Sequence, residues 1–316
     1  MVLLGQMIIL FIIMAVGFAC EKRGIIDDYS SKKISGIVIN VANPALVLSA
    51  GMASGERVPL KDLGFTALLA VLMFVSLMLI AEIIPRLLRA PKRRYGTYRV
   101  MTVFSNIGFI GFPVIAATYG STALLYASVF LFPFNLLIYT YGISMIKSGV
   151  NEGGEGTEAV AAAKGHIQWG KVFNIGVIAS IVSIVLYLSG IQVPSFITSA
   201  VSSLSSLTAP LSMMVIGYSI AKMNIKELFG NVRLLIFALI KLIAIPVIGI
   251  VIIRFFVSNA DLLGVCYIML ATPVGSMTAM LAQEYGGDEE LASKGVAITT
   301  ILSVVTMPLV GMLLGV

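Results

Sequence analysis

Two short stretches of this 316-residue chain combine helix-breaking residues with polar side chains. The first reads SNIGFIGFP over residues 105–113, and the second reads TPVGS over residues 272–276. Proline removes a backbone donor and clashes with the preceding helical turn, so each stretch is expected to interrupt a helix and leave backbone groups free for a ligand. The candidate binding residues are Asn106, Gly108, Gly111, Pro113, Thr272, Pro273, Gly275 and Ser276.

Other polar side chains also lie within apolar sequence. Asn135 and Tyr139 are four residues apart and therefore share one helix face. Ser and Thr hydroxyls often bond to the preceding helical turn, which is the alternative to ligand contact for any single one of them. Supporting polar positions accompany two further prolines, and they are Asn40, Asn43 and Pro44, and Ser205, Thr208 and Pro210.

Glu82 and Lys241 are the ionisable groups that lie well inside apolar runs. A charge within a membrane span is a functional hypothesis by default, which makes both candidates for a coupling role. Both are also expected near the cytoplasmic end of their spans, where a long side chain can extend its charge to the membrane surface. The sequence leaves these two interpretations open.

The elements that carry these residues follow from the composition. The chain is 59% hydrophobic and 11% charged, with a mean hydropathy of +1.03, whereas soluble domains are about 45–50% apolar and about 25% charged. A membrane span needs about 20 apolar residues. We therefore expect an all-α membrane protein with ten transmembrane helices. The apolar runs cover residues 3–20, 34–52, 63–88, 98–119, 123–146, 172–188, 196–221, 234–257, 262–285 and 291–315.

The positions of Lys and Arg predict the orientation of these spans. With the N-terminus outside, 17 of the 21 fall in inside loops, three fall in outside loops, and Lys241 lies within a span. Cytoplasmic loops are enriched in Lys and Arg, so we expect a multi-pass protein of the bacterial cytoplasmic (inner) membrane with both termini outside. A polar stretch at residues 148–170, expected to be a cytoplasmic linker, separates a five-helix repeat at 1–147 from a second at 171–316.

An internal repeat relates the two halves. Three matches share one offset of 166 residues, namely Gly24-Ile25 with Gly190-Ile191, Pro44 with Pro210, and Tyr119-Gly120 with Tyr285-Gly286. Because each half has an odd number of spans, the halves are expected to be inverted, as in many secondary transporters. The second parts of the broken fourth and ninth spans would then begin near the midplane. Their N-termini, each with about half a positive charge, suit a carboxylate.

The motif NIGFIGFP at residues 106–113, taken with NPAL at 43–46 and with Pro210 followed by Gly217, resembles the auxin efflux carrier family. This family includes bacterial malonate- or malate-type permeases and the plant PIN auxin exporters, and the resemblance covers essentially the whole chain. It implies a ten-helix inverted-repeat fold, similar to bile-acid and Na⁺/H⁺ transporters, whose fourth and ninth helices cross at proline breaks. It also implies a transport domain that moves against a scaffold (an elevator), often in a homodimer.

The resemblance further implies organic-anion substrates, such as dicarboxylates or indole-acetate. By position, the substrate contacts would be Asn106, the region 111–113, the region 272–276, and Asn135 with Tyr139. The plant carriers have an Asp and a Lys in the outer part of the third span, whereas residues 67–76 are uncharged here. The choice between H⁺ and Na⁺ as a co-transported ion therefore stays open.

An intramembrane enzyme is the competing class. The one histidine, His166, lies in the polar linker, and the chain has neither an HExxH motif nor a pair of aspartates at mid-membrane depth. The segment GGDEE at 286–290 is similar to the signature of cyclic-dinucleotide synthases, but it lies in a short loop between two spans. We expect no catalytic residues, metal, cofactor or nucleic-acid partner. A channel or a membrane ligand sensor with the same fold remains the alternative to a transporter.

Overall fold

A computed structural model of the chain describes residues 2–52, 58–152, 169–222 and 229–316. Within these ranges the regular structure is helical, and the β-type pairing there consists of one isolated bridge, between Ser105 and Val274. His166 and most of the predicted linker lie outside the described residues. The prediction of an all-α protein is thus confirmed for the described part of the chain.

Eight helices come from the first half of the chain. Wider, π-helical turns at Val38–Ala42 and Ile138–Gly142 join neighbouring helices end to end, and a third at Ile107–Gly111 leads into α6. The helices are α1 (Val2–Lys22), α2 (Asp28–Ile37), α3 (Asn43–Met52), α4 (Leu60–Leu87), α5 (Tyr95–Val103), α6 (Phe112–Val129), α7 (Leu131–Leu137) and α8 (Ile143–Glu152).

The described part of the second half adds nine helices, with a further π-helical turn at Ile240–Ala244. They are α9 (Trp169–Val172), α10 (Ile175–Ser189), α11 (Ser195–Ser205), α12 (Thr208–Ala221), α13 (Val232–Leu239), α14 (Ile245–Ile253), α15 (Ala260–Ala271), α16 (Ser276–Glu284) and α17 (Glu289–Leu314).

Six helical segments of the described chain are long and apolar enough to cross a membrane, and α10 and α15 are shorter apolar helices. One of the six, Ile107–Ser148, is 42 residues long, about twice the length that a single span needs. It contains Gly120, whose φ of 78° and ψ of −163° are accessible essentially to glycine alone and end the helix locally. The count of ten spans stays a prediction. The six segments are Asp28–Met52, Leu60–Leu87, Ile107–Ser148, Ser195–Ala221, Val232–Ile253 and Glu289–Leu314.

Large apolar side chains cover the outside of the helices. Ile12 on α1 is 60% exposed, Leu79 on α4 is 66% exposed, and Phe255 after α14 is 82% exposed. Apolar surface on this scale would drive association in water, whereas lipid tails solvate it without cost. The exposed surface therefore agrees with the composition in assigning these helices to a bilayer.

Close helix packing holds one side of the molecule together, where α1 lies along α12. A methyl group on Gly17 would lie 2.3 Å from the carbonyl oxygen of Met214, and one on Gly217 would lie 1.9 Å from that of Met14. Each glycine thus admits the backbone of the other helix, as small residues do in membrane helix pairs. Any larger side chain at either position must separate α1 from α12.

Candidate functional site

The two stretches predicted to break helices do so, and they lie against each other. Both α5 and α15 stop inside the protein, and the chain continues without helical structure through residues 104–106 and 272–275 before the next helical turns begin. Phe104 and Thr272, the first residues after the two helices, have the extended φ and ψ angles of a strand. The broken backbone lies in the protein core, where its polar groups need protein partners.

Each broken segment supplies the backbone partners of the other. The N–H of Asn106 donates to the carbonyl of Pro273 at 2.7 Å, and the N–H of Gly275 donates to the carbonyl of Phe104 at 2.9 Å. Glycine at 275 allows this close approach, because a methyl group there would lie 3.0 Å from the carbonyl oxygen of Ser105. The two segments therefore form a crossover that resembles a single rung of antiparallel sheet.

Pro113 acts downstream of the first break and not within it. Its ring would clash with the carbonyl of Phe109, and it has no N–H to bond to that carbonyl. The helix before it widens instead, so that the N–H of Gly111 donates to the carbonyl of Asn106, five residues earlier, at 3.2 Å. This explains why the turn Ile107–Gly111 is π-helical.

The helices that leave the crossover begin differently. The Oδ1 of Asn106 accepts a hydrogen bond from the N–H of Phe109 at 3.2 Å and so caps the turn that leads into α6. Gly275 occupies the same position before α16 and has no side chain with which to cap it. The N–H groups of Ser276 and Met277, in the first turn of α16, have no intrahelical acceptor. The sequence pattern predicted two equivalent open helix ends, but only the start of α16 lacks a side-chain cap.

A cavity of about 360 Å³ opens beside the crossover. No charged side chain from the described part of the chain lines it. The polar or glycine residues that line it are Asn40, Asn43, Ser105, Asn106, Gly108, Asn135, Tyr139, Asn174, Gly176, Gly275 and Ser276, and the apolar ones are Ile39, Val47, Ile107, Phe109, Phe112, Leu131, Phe134, Ile175, Met277 and Met280. Ligand sites of small molecules combine a mostly apolar wall with a few polar groups in this way.

The predicted binding residues divide into two groups. Those that line the cavity are Asn40, Asn43, Asn106, Gly108, Asn135, Tyr139, Gly275 and Ser276. Those that the structure places away from its lining are Pro44, Gly111, Pro113, Ser205, Thr208, Pro210, Thr272 and Pro273. Thr272 and Pro273 are buried and form part of the crossover backbone beside the cavity. Ser205 ends α11, and Thr208 and Pro210 begin α12.

Asn174 lines the cavity and had not been singled out from the sequence. Its Nδ2 donates to Oδ1 of Asn135 at 2.6 Å, and its own Oδ1 caps α10 by accepting from the N–H groups of Gly176 and Val177. An asparagine directly before an apolar run is a recognisable helix-capping signal. Asn43, which also lines the cavity, contacts the turn after the first break: its Nδ2 donates to the carbonyl of Gly108 at 3.1 Å.

The two ionisable candidates lie outside the cavity lining. Glu82 pairs with Arg99 at 2.8 Å, and Arg99 is the more buried of the two side chains. Lys241 is fully buried, so its charge does not extend to the membrane surface. It lies in the π-helical turn between α13 and α14 and donates to Ser105, one of the crossover residues.

Comparison with known proteins identifies the family and several relatives of this chain. The sequence model of a family described as membrane transport protein matches residues 2–310. An uncharacterized transporter of Methanocaldococcus jannaschii is 24% identical over 327 residues, with 99% of each chain covered. An uncharacterized transporter of Methanothermobacter thermautotrophicus is 26% identical over 308 residues, with 94% of each chain covered. An uncharacterized transporter of Saccharomyces cerevisiae is 33% identical over 98 residues, which is 31% of this chain and 15% of the yeast protein.

The family match extends over nearly the whole chain and includes both broken segments and every residue that lines the cavity. The apolar outer surface and the membrane-length helices fit the same assignment. The chain is therefore a multi-pass membrane protein that belongs to the membrane transport protein family, which is the auxin efflux carrier family that its motifs resemble.

Proposed function

We propose that this protein is a secondary transporter of a small organic anion that binds in the cavity beside the crossover. In this proposal ten transmembrane helices form two inverted five-helix repeats, at residues 1–147 and 171–316, joined by a cytoplasmic linker at 148–170. Both termini face the outside of a bacterial inner membrane. Alternating access is of the elevator type within a homodimer. The matched breaks, the repeat offset and the distribution of Lys and Arg support this arrangement.

The uncapped start of α16 is the observation that carries the anion assignment. A helix N-terminus has about half a positive charge and free N–H groups that bind anions. Asn106 lines the cavity and is only 8% exposed, and its Nδ2 has no acceptor among the described residues. A carboxylate beside Ser276 and Met277 would therefore accept hydrogen bonds from the helix end and from this amide. A neutral polar site of this kind needs no buried arginine.

The rest of the cavity indicates the body of the substrate. Phe109, Phe134, Met277 and Met280 supply an apolar wall, and no charged side chain of the described residues lines the cavity. A second carboxylate would thus meet only neutral amide and hydroxyl groups, which compensate for its lost hydration less well than a charged partner does. We infer a monocarboxylate with an apolar body as the preferred substrate, in place of a short dicarboxylate such as malonate or malate.

Replacing Ser276 by proline tests the role of the helix end. Proline is well tolerated at the first position of a helix, and the φ of −73° and ψ of 140° at Gly275 are compatible with a following proline. The Ser276→Pro variant should therefore fold while losing one N–H donor to the anion. A hydrogen bond to a charged group contributes about 1.5–3 kcal/mol, so we expect substrate affinity to fall about tenfold or more.

The Ser276→Ala variant is the matched control, because it removes the hydroxyl and keeps the N–H group. Its affinity should stay within about threefold of the wild type. Affinity is measured from ligand-induced shifts in the melting temperature of the purified protein. If Ser276→Pro and Ser276→Ala bind alike, the anion does not bind at the start of α16.

Uptake into proteoliposomes tests the transporter assignment itself. A panel of mono- and dicarboxylates is offered under imposed pH and Na⁺ gradients, and preloaded vesicles are then tested for accelerated uptake of labelled substrate. Such counterflow is expected of a carrier and not of a channel, and a sensor would bind the anion without moving it. Better competition by dicarboxylates than by apolar monocarboxylates would contradict the inferred substrate class.

A further inference from the structure

Lys241 is a buried charged side chain whose environment differs from that of the other one in the described chain. Arg99 is 6% exposed and pairs with Glu82, whereas Lys241 is 0% exposed and forms no ion pair with any described residue. Burying a charge without a counter-ion is costly. A buried lysine keeps its charge only if the surrounding groups stabilise that charge in another way.

Two oxygen atoms of the first break provide that stabilisation. The Nζ of Lys241 donates to the carbonyl oxygen of Thr102 at 3.1 Å and to the Oγ of Ser105 at 2.7 Å. Thr102 lies in the last turn of α5, where backbone carbonyls have no intrahelical donor. The C-terminal end of a helix carries about half a negative charge. The ammonium group of Lys241 therefore caps the negative end of α5 at the crossover.

Ends of this kind have a characteristic role in transporters with broken helices. The C-terminal carbonyls of a half-helix, with neighbouring hydroxyl oxygens, form the sites at which Na⁺ is coordinated. We propose that the ammonium of Lys241 is a built-in cation that takes the place of a bound alkali cation at the end of α5. Carbonyl and hydroxyl oxygens are the ligands that such a cation would use, and here both oxygens accept hydrogen bonds from Lys241.

This proposal rests on the transport function proposed above and specifies that transport is not coupled to Na⁺ or K⁺. A second cation beside Lys241 would be repelled and would find two of its oxygen ligands already occupied. Binding and transport of the anion thus proceed without Na⁺ or K⁺, and an imposed gradient of either ion leaves the rate unchanged. The positive charge of the Lys241 ammonium also compensates part of the charge of the bound anion while both remain in the membrane interior.

The test compares two substitutions of the same residue by thermal melting, which requires no transported anion. Lys241→Ala removes the charge and opens a space next to Thr102 and Ser105, whereas Lys241→Met removes the charge and fills the space. The purified proteins are melted in chloride salts of Na⁺, K⁺, propylammonium and the bulky cation N-methylglucamine at equal ionic strength. Propylammonium carries the three carbons and the nitrogen that the alanine variant lacks.

We expect the wild type to melt at the same temperature in all four salts. The Lys241→Ala variant should melt lower in N-methylglucamine and recover by several degrees in propylammonium or in an alkali salt, while Lys241→Met should recover in none. Lys32→Met, which removes an exposed lysine, controls for the loss of a positive charge and should behave as the wild type.

Two results would overturn the proposal. One is a wild-type protein whose melting temperature or anion uptake depends on Na⁺ or K⁺, which can be observed even if neither Lys241 variant folds. The other is a folded Lys241→Ala variant that no cation stabilises, since Lys241 would then be a packing residue. A protein that melts as expected but moves no anion would contradict the proposed function and leave the built-in cation intact.

Discussion

Each of the two crossing segments interrupts a helix, but the free helix ends at the two breaks are satisfied in different ways. At the first break, Asn106 caps the helix that follows and Lys241 caps the helix that precedes. At the second break, Gly275 offers no cap, and the hydroxyl of Thr272 reaches the carbonyl of Met269 at 3.3 Å. The first break is thus satisfied by the protein itself. The second leaves its positive helix end to the cavity, and this asymmetry assigns the ligand mainly to one half of the chain.

Asn106→Asp should produce the largest effect of the predictions that test this asymmetry. The aspartate keeps an oxygen to cap the turn at Phe109, so the melting temperature should change little. It replaces the amide donor by a negative charge next to the proposed carboxylate, and two like charges about 4 Å apart at a protein surface repel by about 4 kcal/mol. We expect anion uptake to fall by about a hundredfold or more, measured in proteoliposomes.

Asn40→Asp provides the control for this variant, because Asn40 also lines the cavity but bonds only to its own helix, at the carbonyl of Gly36. The same charge at this position should reduce uptake much less. If the two aspartate variants are equally impaired, the cavity excludes negative charge in general. The first break then has no specific part in binding.

A smaller effect is expected when a methyl group is added to each break. A methyl on Gly275 would lie 3.0 Å from the carbonyl oxygen of Ser105, so the crossover must open by a few tenths of an ångström. A methyl on Gly111 would meet side-chain carbons at 3.4 Å and beyond, which is ordinary contact. Because small displacements of a binding group are costly, Gly275→Ala should lower uptake about tenfold. Gly111→Ala should lower it less than about threefold, and equal losses would show that the breaks are interchangeable.

The smallest effects should appear in stability, where the two helix ends that enter the crossover can be compared. Ser105→Ala removes one of the two acceptors of Lys241 and leaves a buried ammonium under-bonded, which should cost about 1–3 kcal/mol. Thr272→Val removes a neutral hydroxyl that bonds only within its own turn and should cost about 1 kcal/mol or less. Melting and denaturant midpoints of the purified variants measure both. A larger loss from Thr272→Val would reverse the comparison.

The sequence predicted the two breaks because their cause is local. Proline and glycine act on the turn that contains them. The stretches SNIGFIGFP and TPVGS therefore indicated helix breaks without any knowledge of the fold. The sequence did not indicate at which residues the first break lies. Its displacement to residues 104–106 depends on the partner strand, since the Asn106 N–H is bonded only because Pro273 lies opposite. Pairing across 167 residues leaves no local signal.

Side-chain roles were predicted unevenly for the same reason. Asn135 and Tyr139 line the cavity as their shared helix face suggested. The sequence predicted Asn106 as a ligand contact but not its capping of the next turn, although asparagine ahead of a helical turn is a capping signal. Polar residues beside Pro210 suggested a second cluster, yet the structure places them away from the cavity. The acceptors of Lys241 lie more than 130 residues earlier and could not have been found from sequence.

The uncapped start of α16 has a consequence for how such a protein can change over evolution. Its donors are main-chain N–H groups, which every residue except proline possesses, so almost no substitution can abolish them. The wall of the cavity, in contrast, consists of replaceable side chains such as Phe109, Met277 and Met280. New cargo specificities can therefore arise by exchanging wall residues while the charge-recognising anchor is inherited unchanged. Selection for an altered substrate should yield mutations in the wall and leave the anchor as it is.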